Sequence, residues 1–295
     1  AEQSEITWHD RLTAPISRTM KELLAPTLEN YKLSVTHLNN FIDVTRGGPQ
    51  NFLLNNLLRF PQAKSANAIY GTLIHTVLQH AHSHLAASGT RKPVEDITGE
   101  FIRLLHQQEL RDNDLALYSK RGVEALEAFL GAKYGTFTPS QKPELSFAGQ
   151  GVVLGQARLT GSLDLVDIDD QTITVTDYKT GKPSTSWTGK SDYEKIKLHK
   201  YRQQLMFYEL LCANSRDYAK YDFGGAVLQF VEPDSRGDIC QLDDRFSRDE
   251  LADFQRLIAA VWRCITTLEL PPIDNFEQNY KGILVFEQML RNSYS

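Results

Sequence analysis

The stretch TVTDYKTGK, residues 174–182, puts a carboxylate and an ammonium group where the end of an apolar strand is expected. Asp177 and Lys179 lie two apart, so in an extended chain both side chains leave the same face. A second β-rich run, GSLDLVDI, precedes it, and DDQT (169–172) between them suits a four-residue hairpin loop. If Ile168 faces Ile173 across that loop, Asp164 stands opposite Asp177 with β-carbons ~5 Å apart. Two carboxylates so placed repel each other. Either both reach water at a sheet edge, or a divalent cation lies between them. Mg²⁺ and Mn²⁺ take carboxylate, carbonyl and water oxygens. Lys179, one step further on the same face, could hold a phosphate or orient a metal-activated water.

Other residues offer weaker signals. His75 in YGTLIHTVL follows Gly71 by four and lies just off an apolar stripe, where a lone histidine is more often structural than a ligand. His80 and His84 are one helical turn apart, but no Glu stands at 81, so the HExxH pattern is missing. We read His80, His82 and His84 as a solvated face. Lys197, Tyr201, Gln204 and Tyr208 recur at helical spacing and share a face. The tyrosines alone would pass as amphipathic core, whereas Gln204 is costly to bury without a partner. TGKS (188–191) has Ser184 where a phosphate loop needs glycine, so no ATP site is expected.

The elements that must carry these groups follow from periodicity. Residues 1–60 read as helical, with Thr36 an N-cap candidate and FLLNNLLRF a short amphipathic run after the Gly47-Gly48-Pro49 break. A long helix covers ANAIYGTLIHTVLQHAHSHLAA, with Tyr70, Leu73, Ile74, Val77, Leu78, Ala81 and Leu85 on one stripe. Further helices span 94–134. Three β-rich runs, a helix over about 191–214, the strand GGAVLQFVE and a helix over 247–268 complete the order. Ser247 and Glu250 form a capping box for that last helix. This is a mixed α/β chain, divided into an N-terminal helical segment, 1–65, and a core, 66–295.

Composition narrows the classes. Of the 295 residues 41% are hydrophobic and 23% charged, as in an ordinary globular protein. No stretch approaches the ~20 apolar residues of a membrane span. The polar N-terminus AEQSEITWHDRL is no secretory leader, and a start without Met suggests a piece of a longer chain. Cys212, Cys240 and Cys264 are odd in number and dispersed, which favours a reduced, cytoplasmic setting. The net charge of −5 hides a basic run from Lys179 to Arg202, in which seven cations face only Asp192 and Glu194. That pattern points to a local polyanion site.

Taken in order, GTLIH, PELSF, GSLDLVDI, VTDYKTG and YRQQLMFYELL resemble the RecB-type nucleases of the PD-(D/E)XK superfamily. The upstream KLSVTHLNNFID and GPQNFLLNNLLRFP resemble the segment leading into the nuclease domain at the C-terminus of UvrD-like superfamily 1 helicases. The resemblance implies a restriction-endonuclease-like mixed sheet flanked by helices. It implies His75, Asp164 and Asp177 as ligands of Mg²⁺ or Mn²⁺, with the Tyr178 carbonyl as a fourth. Lys179 would be the catalytic lysine, Gln204 and Tyr208 would support the site and the DNA backbone, and Glu144 would stand behind the ligands or touch the metal through water. Some relatives hold an iron–sulfur cluster, but Gly48-Pro49 stands where their Cys-Pro would be and no cysteine precedes 212, so no cluster is expected. The implied activity is exonucleolytic hydrolysis of single-stranded or linear DNA by a helicase–nuclease of repair or recombination. The alternatives are a nuclease-like module that only binds DNA or proteins, and a stand-alone RecB-like nuclease.

Overall fold

The computed structural model describes residues 19–294; the N-terminal segment expected not to be a leader lies outside them. The N-terminal part holds α1 (Met20–Glu29), α2 (Val35–Ile42) and α3 (Gly48–Phe52), the last running into a π-helical turn at Leu53–Leu57. Ser34, not Thr36, caps α2, because its side chain is the one that accepts from the His37 amide. The Gly47-Gly48-Pro49 break proves to be the start of α3, with Pro49 in the first turn where no amide hydrogen is needed.

Three helices follow: α4 (Ala66–Ser88), α5 (Val94–His106) and α6 (Asp112–Lys133). The expected stripe of α4 is buried throughout. Beyond them the chain forms β1 (Lys142–Ser146), the small ribbon β2 (Val153–Leu154) and β3 (Ala157–Arg158), then β4 (Ser162–Asp169) and β5 (Thr172–Lys179). α7 (Asp192–Ala213) crosses to β6 (Asp222–Pro233), and β7 (Ile239–Asp244), α8 (Arg248–Thr267) and α9 (Tyr280–Tyr294) complete the order. β7 and α9 extend the element order read from sequence, and the first two β-rich runs each divide. The main sheet has the order β1-β4-β5-β6-β7, antiparallel except for the central parallel pair β5–β6.

The β4–β5 register is the expected one, Ile168 opposite Ile173 and Leu165 opposite Thr176, but the loop is shorter. Asp169 pairs with Thr172, leaving two residues in the turn, and Asp170 adopts a left-handed φ of 50°. Alternation along β5 then divides the interior. Ile173 and Val175 join a cluster with α7, α8, α9 and the N-terminal helices. Tyr178 joins a second cluster built by α4, α5 and α6. Asp177 and Lys179 thus face α7, and Tyr178 faces α4. No helix among the described residues is long and apolar enough to cross a membrane.

Candidate active site

β5 ends in two residues whose side chains meet α7 one helical turn at a time. Gln204 and Tyr208 are four apart, so they stack on one face of that helix. The Tyr208 hydroxyl donates to Asp177 Oδ1 at 2.6 Å and Gln204 Nε2 donates to the same oxygen at 2.9 Å. Lys179 Nζ donates to Gln204 Oε1 at 2.7 Å and makes an ion pair with Asp177 Oδ2 at 2.7 Å. The ammonium also lies 4.6 Å from the centre of the Tyr201 ring. Gln204 therefore has the buried partners that its position on the helix required.

The electrostatics follow from this enclosure. Asp177 is 1% exposed. Burial pushes its pKa up and Lys179 pulls it back, with Asp164 adding to the rise. Burial alone would lower the Lys179 pKa, but Asp177 outweighs it and holds the ammonium charged. Tyr208 is raised well above its ordinary value, first by burial and then by Asp177, so its phenol remains a donor.

A second group lies beside this one. Asp164 Oδ2 accepts the Tyr178 amide at 2.8 Å and stands 3.2 Å from His75 Nδ1. His75, Glu144 and Asp164 each offer a ligand atom, all within 4.8 Å of one another. Burial would lower the His75 pKa, but its contact with Asp164 raises it. Burial and the charge of Asp164 both push Glu144 up. Glu144 sits in β1 between Pro143 and Leu145, which pair with Leu165 and Leu163 on either side of Asp164. Its φ of 50° is left-handed, a conformation that costs a non-glycine residue of order ~1–3 kcal/mol. A cleft of about 320 Å³, lined by Gly71, Thr72, His75, Thr76, Gln79 and Glu144, opens onto this group. Gly71 packs closely here, since a Cβ would come within 3.1 Å of the Thr180 hydroxyl, which would have to give by a few tenths of an ångström.

One imidazole nitrogen and two carboxylates form a hard donor set that fits Mg²⁺ or Mn²⁺, and a cation would relieve the repulsion between Glu144 and Asp164. A comparison with protein families matches residues 32–277 to the PD-(D/E)XK nuclease superfamily. The chain belongs to that superfamily. Its members are generally metal-dependent nucleases, and the mixed five-stranded sheet with flanking helices is consistent with their restriction-endonuclease-like architecture. A comparison with curated proteins returned no match.

In this nuclease the sequence-derived residues fall into two sets. His75, Asp164 and Glu144 bring candidate ligand atoms together, while Asp177, Lys179, Gln204 and Tyr208 form a hydrogen-bonded network. Tyr178 lies between them, its amide on Asp164 and its hydroxyl on His82 Nε2 at 2.8 Å. His82 corrects the solvated face read from sequence, for it is 1% exposed and stacked on Phe137. His80 does remain outside, paired with Glu100. Spacing held the missed signal, since His82 lies four residues after Leu78 and three before Leu85, on the flank of the buried stripe.

TGKS proves to be a helix cap, with Ser191 and Glu194 in a capping box and the Lys190 amide on Glu194. The basic run is thinner than its composition suggests. Lys179, Lys195, Lys200 and Arg202 pair with acids, Lys200 with Asp43 and Arg202 with Asp244 and Glu250. Glu232, absent from the sequence reading, accepts from Tyr70, from the Gly181 amide and from Arg121 through both of its oxygens. Nothing in the sequence around FVEP marked it.

Proposed function

We propose that the chain is a Mg²⁺- or Mn²⁺-dependent deoxyribonuclease, acting as an exonuclease on single strands or linear DNA ends within a helicase–nuclease of repair or recombination. The observation that carries the reading is the adjacency of two half-buried groups, a His/Glu/Asp donor set and a charged lysine at the end of β5. His75, Glu144 and Asp164 would hold the cation, with Asp177 beside them. When bound, such an ion supplies positive charge to phosphate oxygens and lowers the pKa of water from ~15.7 toward neutrality.

The protein's own residues do the rest. Asp177 and Gln204 fix the Lys179 ammonium, which would neutralise the scissile phosphate and orient the attacking water. Tyr208, kept protonated, fixes Asp177 in turn. Such a positioned charge is worth ~3 kcal/mol by analogy with an oxyanion donor. The helicase association is supported by the resemblance of the N-terminal segment.

The test uses purified protein and end-labelled linear DNA beside circular single-stranded DNA. Mononucleotide release from the linear strand with Mg²⁺ or Mn²⁺, none with EDTA and none from the circle supports the exonuclease. Cutting of the circle makes it an endonuclease. DNA left intact under every metal condition supports a module that only binds.

A further inference from the structure

We propose that the cleft at the carboxyl ends of β5 and β6 holds backbone phosphates of the substrate strand, a few nucleotides from the cleaved bond. The proposal rests on the nuclease reading and adds the path of the strand. The cleft has a volume of about 830 Å³ and is lined by Arg121, Lys182, Lys190, Glu232, Asp234 and Arg236 among others.

Its acids are already engaged. Glu232 is occupied by Arg121, Tyr70 and the Gly181 amide. Asp234 Oδ1 accepts from the amides of Arg236 and Asp238 at 2.8 and 3.0 Å. Lys182, Lys190 and Arg236 are exposed, and among the described residues none of them forms an ion pair within 4.0 Å. Arg121 offsets Glu232, and three further cations against the one carboxylate of Asp234 leave a net positive charge around the concave space for a polyanion.

Place and chemistry then select the ligand. Lys182 is three residues beyond Lys179, which is at most ~11 Å of chain. The Gly181–Glu232 bond, 2.7 Å long, pins the turn between them to β6. Crevices outside the carboxyl ends of parallel strands are common ligand sites in open α/β sheets. Lysine binds phosphate as a point charge without reading a base, so contacts here would be independent of sequence.

The experiment measures fluorescence anisotropy of a labelled single strand of ~30 nucleotides with metal chelated, over a salt series. Each lost phosphate contact should make the log–log salt slope shallower by ~0.7. Lys182→Ala/Lys190→Ala/Arg236→Ala is expected to flatten the slope by about 2 and to raise Kd at least tenfold. The exposed triple Lys21→Ala/Lys220→Ala/Arg263→Ala removes the same charge elsewhere and should leave the slope in place. Independently, the bound strand should protect Lys182 and Lys190 of the unaltered protein from acetylation, read by mass spectrometry. An unchanged slope in the first triple, an equal change in the second, or no protection overturns the cleft. Cleavage with unaltered binding in the first triple removes the cleft and leaves the nuclease. Strand binding with the expected slopes but no cleavage removes the nuclease and leaves the cleft.

Discussion

Asp177 and His82 are both 1% exposed, both take a tyrosine hydroxyl, and they stand on opposite sides of β5. On the α7 side, Asp177 also meets Lys179 and Gln204, so burial is answered by an ammonium and an amide. On the α4 side, His82 meets Tyr178 and the face of Phe137, and among the described residues its Nδ1 has no hydrogen-bond partner. Burial therefore lowers its pKa to about 4. One strand thus carries a charged buried network on one face and a neutral one on the other. The first holds an ammonium charge beside the His/Glu/Asp cluster, while the second is a histidine enclosed by aromatic rings.

The largest expected effect breaks the charged side. Asp177→Ala strands a buried ammonium and should cost about 3–5 kcal/mol of stability in denaturant melts. Lys179→Met in the same background should recover much of that loss without recovering cleavage. An uncorrected melt would mean that the pair is not buried in solution. Lys179→Ala alone should lower single-turnover cleavage by about 10²–10³, whereas His82→Leu should leave it within about threefold.

The neutral side is distinguished by acid. Below pH 6.5 the unfolded chain binds a proton on His82 before the folded one does, so folding loses stability as pH falls from 6.5 to about 4. At about 1.4 kcal/mol per unit the loss reaches about 3 kcal/mol. The stability gap between unaltered protein and His82→Leu should narrow by that amount over the window, and a constant gap would refute the neutral, buried assignment. Tyr178→Phe leaves both His82 ring nitrogens without partners and should cost about 1–3 kcal/mol. Smallest of all, Glu144→Gly should relieve the left-handed backbone, raising stability by about 1 kcal/mol while weakening Mn²⁺ binding in calorimetry. Equal Mn²⁺ affinity would remove Glu144 from the donor set.

What the sequence made legible was local. The Ile168–Ile173 register needs only alternation on two strands and a turn between them, and a loop two residues shorter than expected does not alter it. The pairing of Gln204 with Asp177 follows from a polar residue on a helix that must cross back over the sheet. The rest depends on contacts distant in sequence. His82 looked like a solvated histidine because its partner is 96 residues away. Glu232 draws Tyr70, Arg121 and Gly181 from three separate elements, and Glu287 in α9 accepts from His199 and Gln203 of α7. β7 is six residues long, and too few alternating positions separate it from a loop.

α7 presents Gln204 to Asp177 and, one turn earlier, hooks Lys200 onto Asp43 at the end of α2. Asp43 is 1% exposed and also takes the Thr45 amide, so that anchor is stiff. Mechanically, α7 is a short lever packed on the sheet, one arm tied to the N-terminal helices and the other resting on Lys179. Lys200 and Gln204, one helical turn apart, thus join the N-terminal helices to Lys179.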